Sequence, residues 1–282
     1  MGGIIMDPSK LFPDVLELAR RAGEYLRQER EKISASQIEV KGQGDFVSRA
    51  DRTSEEMLRE GLLNLLPNSV FMGEEGSPEE RGGEWRWIVD PLDGTANYLA
   101  GFPVWAVSIA LEDRRENPEG FGPRAIGIVH QPLLGNTWTA VRGEGAKRNG
   151  KAIHVQQNPP MKSMLLATGF PFRNRENLDG YLNVFVNLFR QIGDIRRAGS
   201  AASDLCWAAD GTYSGYFETN LNPWDAAAGA LIIEEAGGVV TDWWGQDVLD
   251  TGWVISGCKE AFELQKRVVE ELDFSQPDRR WR

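Results

Sequence analysis

The chain has 282 residues, 41% hydrophobic and 26% charged, a balance that excludes a disordered or fibrous protein and gives enough length to bury a sizeable core. Its 42 acids outnumber 31 Lys and Arg, and the resulting net charge of −11 argues against binding nucleic acid or an anionic membrane. With two cysteines, Cys206 and Cys258, neither a disulfide framework nor a cysteine-rich zinc site is available.

The first residues lack a basic segment followed by a long apolar core, and Met6 stands where a myristoylation signal wants Ser or Thr. No apolar run approaches the roughly 18 residues that span a bilayer, so a cytoplasmic protein is expected. In chain order, apolar spacing at Leu11, Val15, Leu18, Ala22 and Leu26 predicts an amphipathic helix over 11–33. The stretch IEVKGQGDFVSRAD (38–51) reads as a mobile turn around its glycines. Thr53-Ser54-Glu55-Glu56 fits a capping box opening a second helix, which Pro67 stops after Leu66. Strand candidates follow: SVFMG (69–73), WRWIVD (85–90), VWAVSIALE (104–112), AIGIVHQ (125–131), TWTAVRG (137–143) and AIHVQ (152–156). They imply a sheet of mixed or antiparallel pairing. Beyond Pro160 strands and helices alternate: MLLAT, a helix over 178–190, DIRRAG, a helix over 200–209, SGYFE, a helix over 224–236, VVTD, WVISG and a final helix to Leu272. Such alternation suggests layered sheets and helices, with a soft boundary near Asn158-Pro159-Pro160 between lobes 1–158 and 159–282 of one compact unit.

Acids recur at strand ends and helix starts: Asp51, Glu74 and Glu75, Asp90 and Asp93, and Asp225 in NPWDAAAG. Taken singly, each has an ordinary use in a turn, a solvated loop or a helix first turn. Jointly, carboxylates gathered at one place must hold protons or cations, and an oxygen-only set selects a hard ion such as Mg²⁺. The chain has two histidines, His130 and His154, both read as structural, which disfavours a histidine-built zinc or iron site. In PLDGT (91–95), Pro91 fixes a turn and Gly94 lets backbone approach a ligand. A helix starting near Thr95 would turn its free N–H groups toward a phosphate.

Three near-matches fail. Ala152 stands where the stretch 145–152 would need Ser or Thr for a nucleotide phosphate loop, and the following IHVQ reads as a strand, so a Gly-rich hairpin is the better reading. Two residues separate Asp90 from Asp93, which excludes an aspartyl nucleophile of the D-x-D-x-T type, and no Arg follows either cysteine at six positions. Attack by activated water remains.

GEE (73–75), DPLDGT (90–95) and WDAAAG (224–229), in this order, resemble the inositol monophosphatase family of Mg²⁺-dependent, lithium-sensitive phosphatases. VKGQGDFVSRAD (40–51) resembles that family's mobile metal loop, HQPLLGNTWTAVRGEGAKRNGK (130–151) its central hairpin, and RRAGSAASDLCWAADGTYSGYFE (196–218) its substrate side. The resemblance implies a layered α-β-α-β-α sandwich, commonly a homodimer, that cleaves a phosphate monoester with two or three Mg²⁺ ions. Glu74, Asp90 and the Leu92 carbonyl would hold the first ion, and Asp90, Asp93 and Asp225 the second. Asp51, with Glu74, would hold a weaker third ion or the attacking water, and Thr95 would pair with Asp51 to deprotonate that water. Substrate contacts are implied at Glu74, Leu92, Asp93, Gly94, Thr95, Gly199, Ser200, Ala201, Glu218 and Asp225. Lys41 sits where the family often has a loop lysine. Inositol 1-phosphate leads as substrate; fructose 1,6-bisphosphate, histidinol phosphate and 3′-phosphoadenosine 5′-phosphate are the alternatives. A bisphosphate would want extra cations, for which Arg173, Arg175, Arg196 and Arg197 are candidates. A regulatory role toward RNA or a protein partner is the reading from a different class.

Overall fold

The structure is a computed structural model that describes residues 7–32, 38–41, 45–76, 82–172 and 175–275, with backbone alone for 38–41 and 45–48. Five layers result, an α-β-α-β-α sandwich. The larger sheet has seven strands in chain order: β3 (Val70–Gly73), β4 (Trp85–Asp93), β5 (Ala106–Asp113), β6 (Arg124–Gln131), β7 (Asn136–Val141), β8 (Ala146–Arg148) and β9 (Lys151–Ala152). β3 pairs parallel with β4, and every other neighbour is antiparallel. A smaller five-stranded sheet takes the order β11-β10-β12-β14-β13, from β10 (Leu165–Thr168), β11 (Asp194–Arg196), β12 (Gly215–Glu218), β13 (Val239–Thr241) and β14 (Val254–Gly257).

Period-2 alternation sorts the strand side chains between layers. Trp87 and Val89 of β4, Val107, Ile109 and Leu111 of β5, and Ile126 and Ile128 of β6 pack with α1 (Pro8–Arg30) and α2 (Arg49–Leu65). The opposite face presents smaller groups, Ala106, Ser108, Ala110 and Gly127, to α6 (Pro223–Glu235). A Cβ at Gly127 would lie 2.8 Å from the Ala228 carbonyl oxygen, so that glycine sets how closely α6 lies on the sheet. α6 and α5 (Ala201–Ala209) sit between the two sheets, and α6 is accordingly apolar around its circumference rather than along one stripe. α4 (Leu178–Phe189) and α8 (Lys259–Glu271) cover the outer side of the smaller sheet.

Three local expectations change. α2 begins at Arg49, so Thr53 is no cap: its hydroxyl donates to the Arg49 carbonyl one turn back, and Asp51 falls in the first helical turn. The 38–51 stretch contains a two-stranded ribbon, β1 (Ile38–Lys41) and β2 (Asp45–Ser48), while residues 42–44 and the Lys41 side chain lie outside the described residues. AIHVQ contributes only its first residue to a strand. The stretch that resembled a nucleotide loop is a tight hairpin turned at Asn149 and Gly150, both at positive φ. No described helix is long and apolar enough to cross a membrane.

Candidate metal and phosphate site

β4 carries the acids to one place. Continuing its alternation, Asp90 points to the α6 side, opposite Ser108, whose hydroxyl donates to the Trp224 carbonyl at the start of α6. The strand then bulges: register shifts between Asp90 and Asp93, which places both acids at the same end of the sheet. The Leu92 N–H donates to Asp90 Oδ1 at 2.8 Å. Asp225 is the third residue of α6, where its Oδ2 accepts the Asn222 N–H at 2.7 Å, so it also serves the helix-start role open to it from sequence. Carboxylate oxygens of the three buried residues Asp90, Asp93 and Asp225 lie within 4.8 Å of one another.

These acids open on a cleft of about 80 Å³ that is also lined by Glu74, Leu92, Gly94, Thr95, Gly199, Ser200, Ala201 and Glu218. All the positions implied to contact substrate therefore share one cavity. Asp51, 1% exposed in the first turn of α2, stands behind it, its Oδ2 3.4 Å from Thr95 Oγ1. The Thr95 hydroxyl also lies 3.0 Å from the Leu92 carbonyl oxygen. Gly94 precedes the short helix α3 (Thr95–Ala100) at φ 90°, and a Cβ there would lie 3.0 Å from the Val104 carbonyl oxygen, so both conformation and space require glycine. Glu75 turns away from the cleft: its N–H donates to Glu55 and its carboxylate faces Arg52 at 3.9 Å.

Burial raises the Asp90 carboxyl well above the ordinary carboxylate range, and the charges of Glu74, Asp93, Asp225 and Asp51 add to that shift. Such a set is costly as bare anions and fits a hard cation, since each donor is an oxygen and no imidazole or thiol joins them. Asp204 on α5 is likewise pushed up, by burial first and then by Glu218 and Asp93.

The sequence left several contributors unseen. Ser200 caps α5, and its hydroxyl donates to Asp93 Oδ2 at 2.5 Å, joined by the Ala202 N–H at 2.8 Å, so its side chain also holds the acid. Asn97 ties α3 to the turn before α5, donating to the Val104 and Ala198 carbonyls at 2.7 and 2.9 Å. Glu218, ending β12, accepts from the Tyr216 hydroxyl, and Gly169 leaves room for it: a Cβ at 169 would lie 2.0 Å from the carboxylate. Of the four candidate arginines, Arg197 lines the cleft. Arg196 instead pairs with Asp194, Arg175 is not among the lining residues, and Arg173 lies outside the described residues. His130 is a packed histidine, its Nδ1 2.9 Å from Thr137 Oγ1.

Residues 7–276 match the model of the inositol monophosphatase family. A fructose-1,6-bisphosphatase/inositol-1-monophosphatase of Aquifex aeolicus is 41% identical over 84% of this chain and 87% of its own length. Nus factor SuhB of Pseudomonas aeruginosa is 39% identical over 88% of this chain and 91% of its own. Among solved structures, the extragenic suppressor protein suhB of Bartonella henselae superposes with a TM-score of 0.86 at 35% identity, over 93% of this chain and 99% of that one. The chain belongs to the inositol monophosphatase family.

Proposed function

We propose that the protein is a Mg²⁺-dependent phosphomonoesterase acting on a small polyol or sugar phosphate, with inositol 1-phosphate as the leading substrate. The observation that carries this is the convergence of the buried Asp90, Asp93 and Asp225 carboxylates in a cleft that Thr95 and Glu218 also line. Glu74, Asp90 and the Leu92 carbonyl would hold one Mg²⁺, Asp90, Asp93 and Asp225 a second, and Asp51 with Glu74 a weaker third. When bound, the ions supply positive charge to the phosphoryl oxygens and lower the cost of forming a hydroxide nucleophile and an alkoxide leaving group.

The chain's own groups do the rest. Gly94 and Thr95 present backbone N–H groups to the phosphate, and charge developing on its oxygens strengthens those bonds in the transition state. Thr95 has one hydroxyl proton and two acceptors, the Leu92 carbonyl at 3.0 Å and Asp51 at 3.4 Å; with that carbonyl engaged by a cation the proton would turn to Asp51, which leaves an oxygen lone pair on Thr95 for the proton of the attacking water. Water oxygen bonds to phosphorus as one of its protons passes to the pair of Thr95 and Asp51, the bond from phosphorus to the ester oxygen breaks, and the alkoxide takes that proton equivalent back through solvent to leave as the alcohol. Glu218, held by Tyr216, accepts hydroxyls of that alcohol. A cytoplasmic location and a homodimer go with this reading.

Arg197 favours a second reading within the same chemistry, a bisphosphate such as fructose 1,6-bisphosphate. It lies over the Phe170 ring at 6.0 Å, which leaves the guanidinium edge for an anion on the leaving alcohol. The name of the Aquifex relative points the same way. Relatives named Nus factor SuhB raise a regulatory role, which partner capture by an Asp90→Asn protein would support. Purified protein should release phosphate from inositol 1-phosphate or fructose 1,6-bisphosphate with millimolar Mg²⁺ and lose that activity in chelator. No release from any sugar, inositol or nucleotide monoester would sink the proposal.

A further inference from the structure

From the half-exposed Arg148 on β8 a polar chain runs inward to the buried Asp93. Arg148, on β8, is held over the Trp138 ring at 5.1 Å and pairs with Asp210 at 2.9 Å. Its Nη2 donates to Asn136 Oδ1 at 2.9 Å. Because the Asn136 oxygen faces a guanidinium, its NH₂ faces Gln131, donating to Oε1 at 3.2 Å. Gln131 must then present its own NH₂ to Ser203 Oγ, 2.7 Å away. The hydroxyls of Ser203 and Ser200 lie 2.6 Å apart, and the Ser200 oxygen lies 2.5 Å from Asp93 Oδ2. A carboxylate only accepts, so the single Ser200 proton goes to Asp93 and Ser203 is the donor between the serines. Every link thus donates in one direction, from a fixed cation to an acid of the cleft.

We infer that Gln131 and Ser203 are positioning residues for Asp93, with Arg148 as the charged end of the chain. This rests on the reading of Asp93 as a Mg²⁺ ligand. Aligned bonds in a low-dielectric interior polarise one another, and Gln131 and Ser203 are both fully buried, so water does not replace a broken link. The chain fixes Oδ2 and with it the direction of the whole carboxylate toward the cleft, as groups behind a metal ligand commonly do. It also gives the 145–152 stretch a use: what imitates a nucleotide loop instead brings Arg148 to Asn136, which the β6–β7 pairing already sets opposite Gln131.

The test is Mg²⁺ binding followed by calorimetry without substrate, on the full chain and on Ser203→Ala, Gln131→Met and Arg148→Met. Loss of a group behind a metal ligand weakens binding by about 10- to 100-fold, so Kd should rise by that factor in Ser203→Ala and Gln131→Met. The rise should be smaller in Arg148→Met, whose aliphatic stem keeps the stack on Trp138. Melting in chelator separates a merely structural role: variants that melt lower yet bind Mg²⁺ with the parent Kd overturn the inference. Should Gln131→Met not fold, Ser203→Ala, which deletes a single hydroxyl, decides it alone. A parent protein that takes up no Mg²⁺ overturns the metal-site reading itself, and the inference with it.

Discussion

Replacing Asp90 by Asn should make the metal-free protein more stable while abolishing its activity. Asn has the same shape and keeps an oxygen for the Leu92 N–H, so packing is preserved and only a charge is lost. Asp90 lies with Asp93 and Asp225 at separations within 4.8 Å. At an effective dielectric of about 20, each such like-charge pair costs about 3.5 kcal/mol. The acid can escape by taking a proton, which at pH 7 costs about 4 kcal/mol for a group that ionises near 3.8 in the unfolded chain, and that sets the ceiling on the gain. With an unfolding entropy of about 2.1 cal/mol/K per residue, the chelated variant should melt about 5–7 °C above the chelated parent. Mg²⁺ should raise the parent's midpoint and leave that of Asp90→Asn unmoved. The sign with pH follows: a carboxyl whose folded pKa is raised gives stability below 3.8 that is lost as pH rises, so the gap should close toward pH 4 and widen above it. A chelated Asp90→Asn that melts at or below the parent would refute the claim that these acids crowd one another.

What was legible beforehand was local. The continuous apolar run Trp87, Ile88 and Val89 announces a buried strand, and the break at Pro91 and Gly94 announces a turn; both are properties of neighbouring residues. The acids could be recognised because their motifs carry their own context. Contributors whose partners are distant in sequence stayed hidden. Ser200 looks like a helix cap and is one, but nothing nearby says that its hydroxyl also serves Asp93, 107 residues earlier. Gly169 has no turn signal, because its reason is the Glu218 side chain on the next strand of the sheet. Thr53 was misread since a capping box and a helix interior share the same residues, and the difference lies in whether Arg49 upstream is already helical. The all-round apolar surface of α6 tells of burial, but only the second sheet explains what covers its other side.

Thr95→Val should lower kcat by about 10²- to 10⁴-fold while Mg²⁺ still raises the melting point, because the hydroxyl and not the metal set is removed; an unchanged initial rate would contradict its role in proton transfer. Gly169→Ala must push Glu218 aside, its Cβ lying 2.0 Å from that carboxylate, and should raise KM for a polyol phosphate at least about tenfold, as expected when a charged hydrogen-bond partner is displaced. Steady-state kinetics with KM unaltered would remove Glu218 from substrate binding. His130 gives a separate stability signature. It lies against Gly23 of α1, and burial, with Arg20 nearby, lowers its pKa from 6.5 to about 4. The unfolded chain therefore takes up the proton first, and the stabilisation present above pH 6.5 is lost as pH falls toward about 4. Between pH 8 and pH 5 that linkage amounts to about 2 kcal/mol. Urea midpoints across this range should fall more steeply for the parent than for His130→Gln, which has nothing to protonate. Parallel slopes would mean that the imidazole accepts its proton in place, and that α1 does not seal it from water.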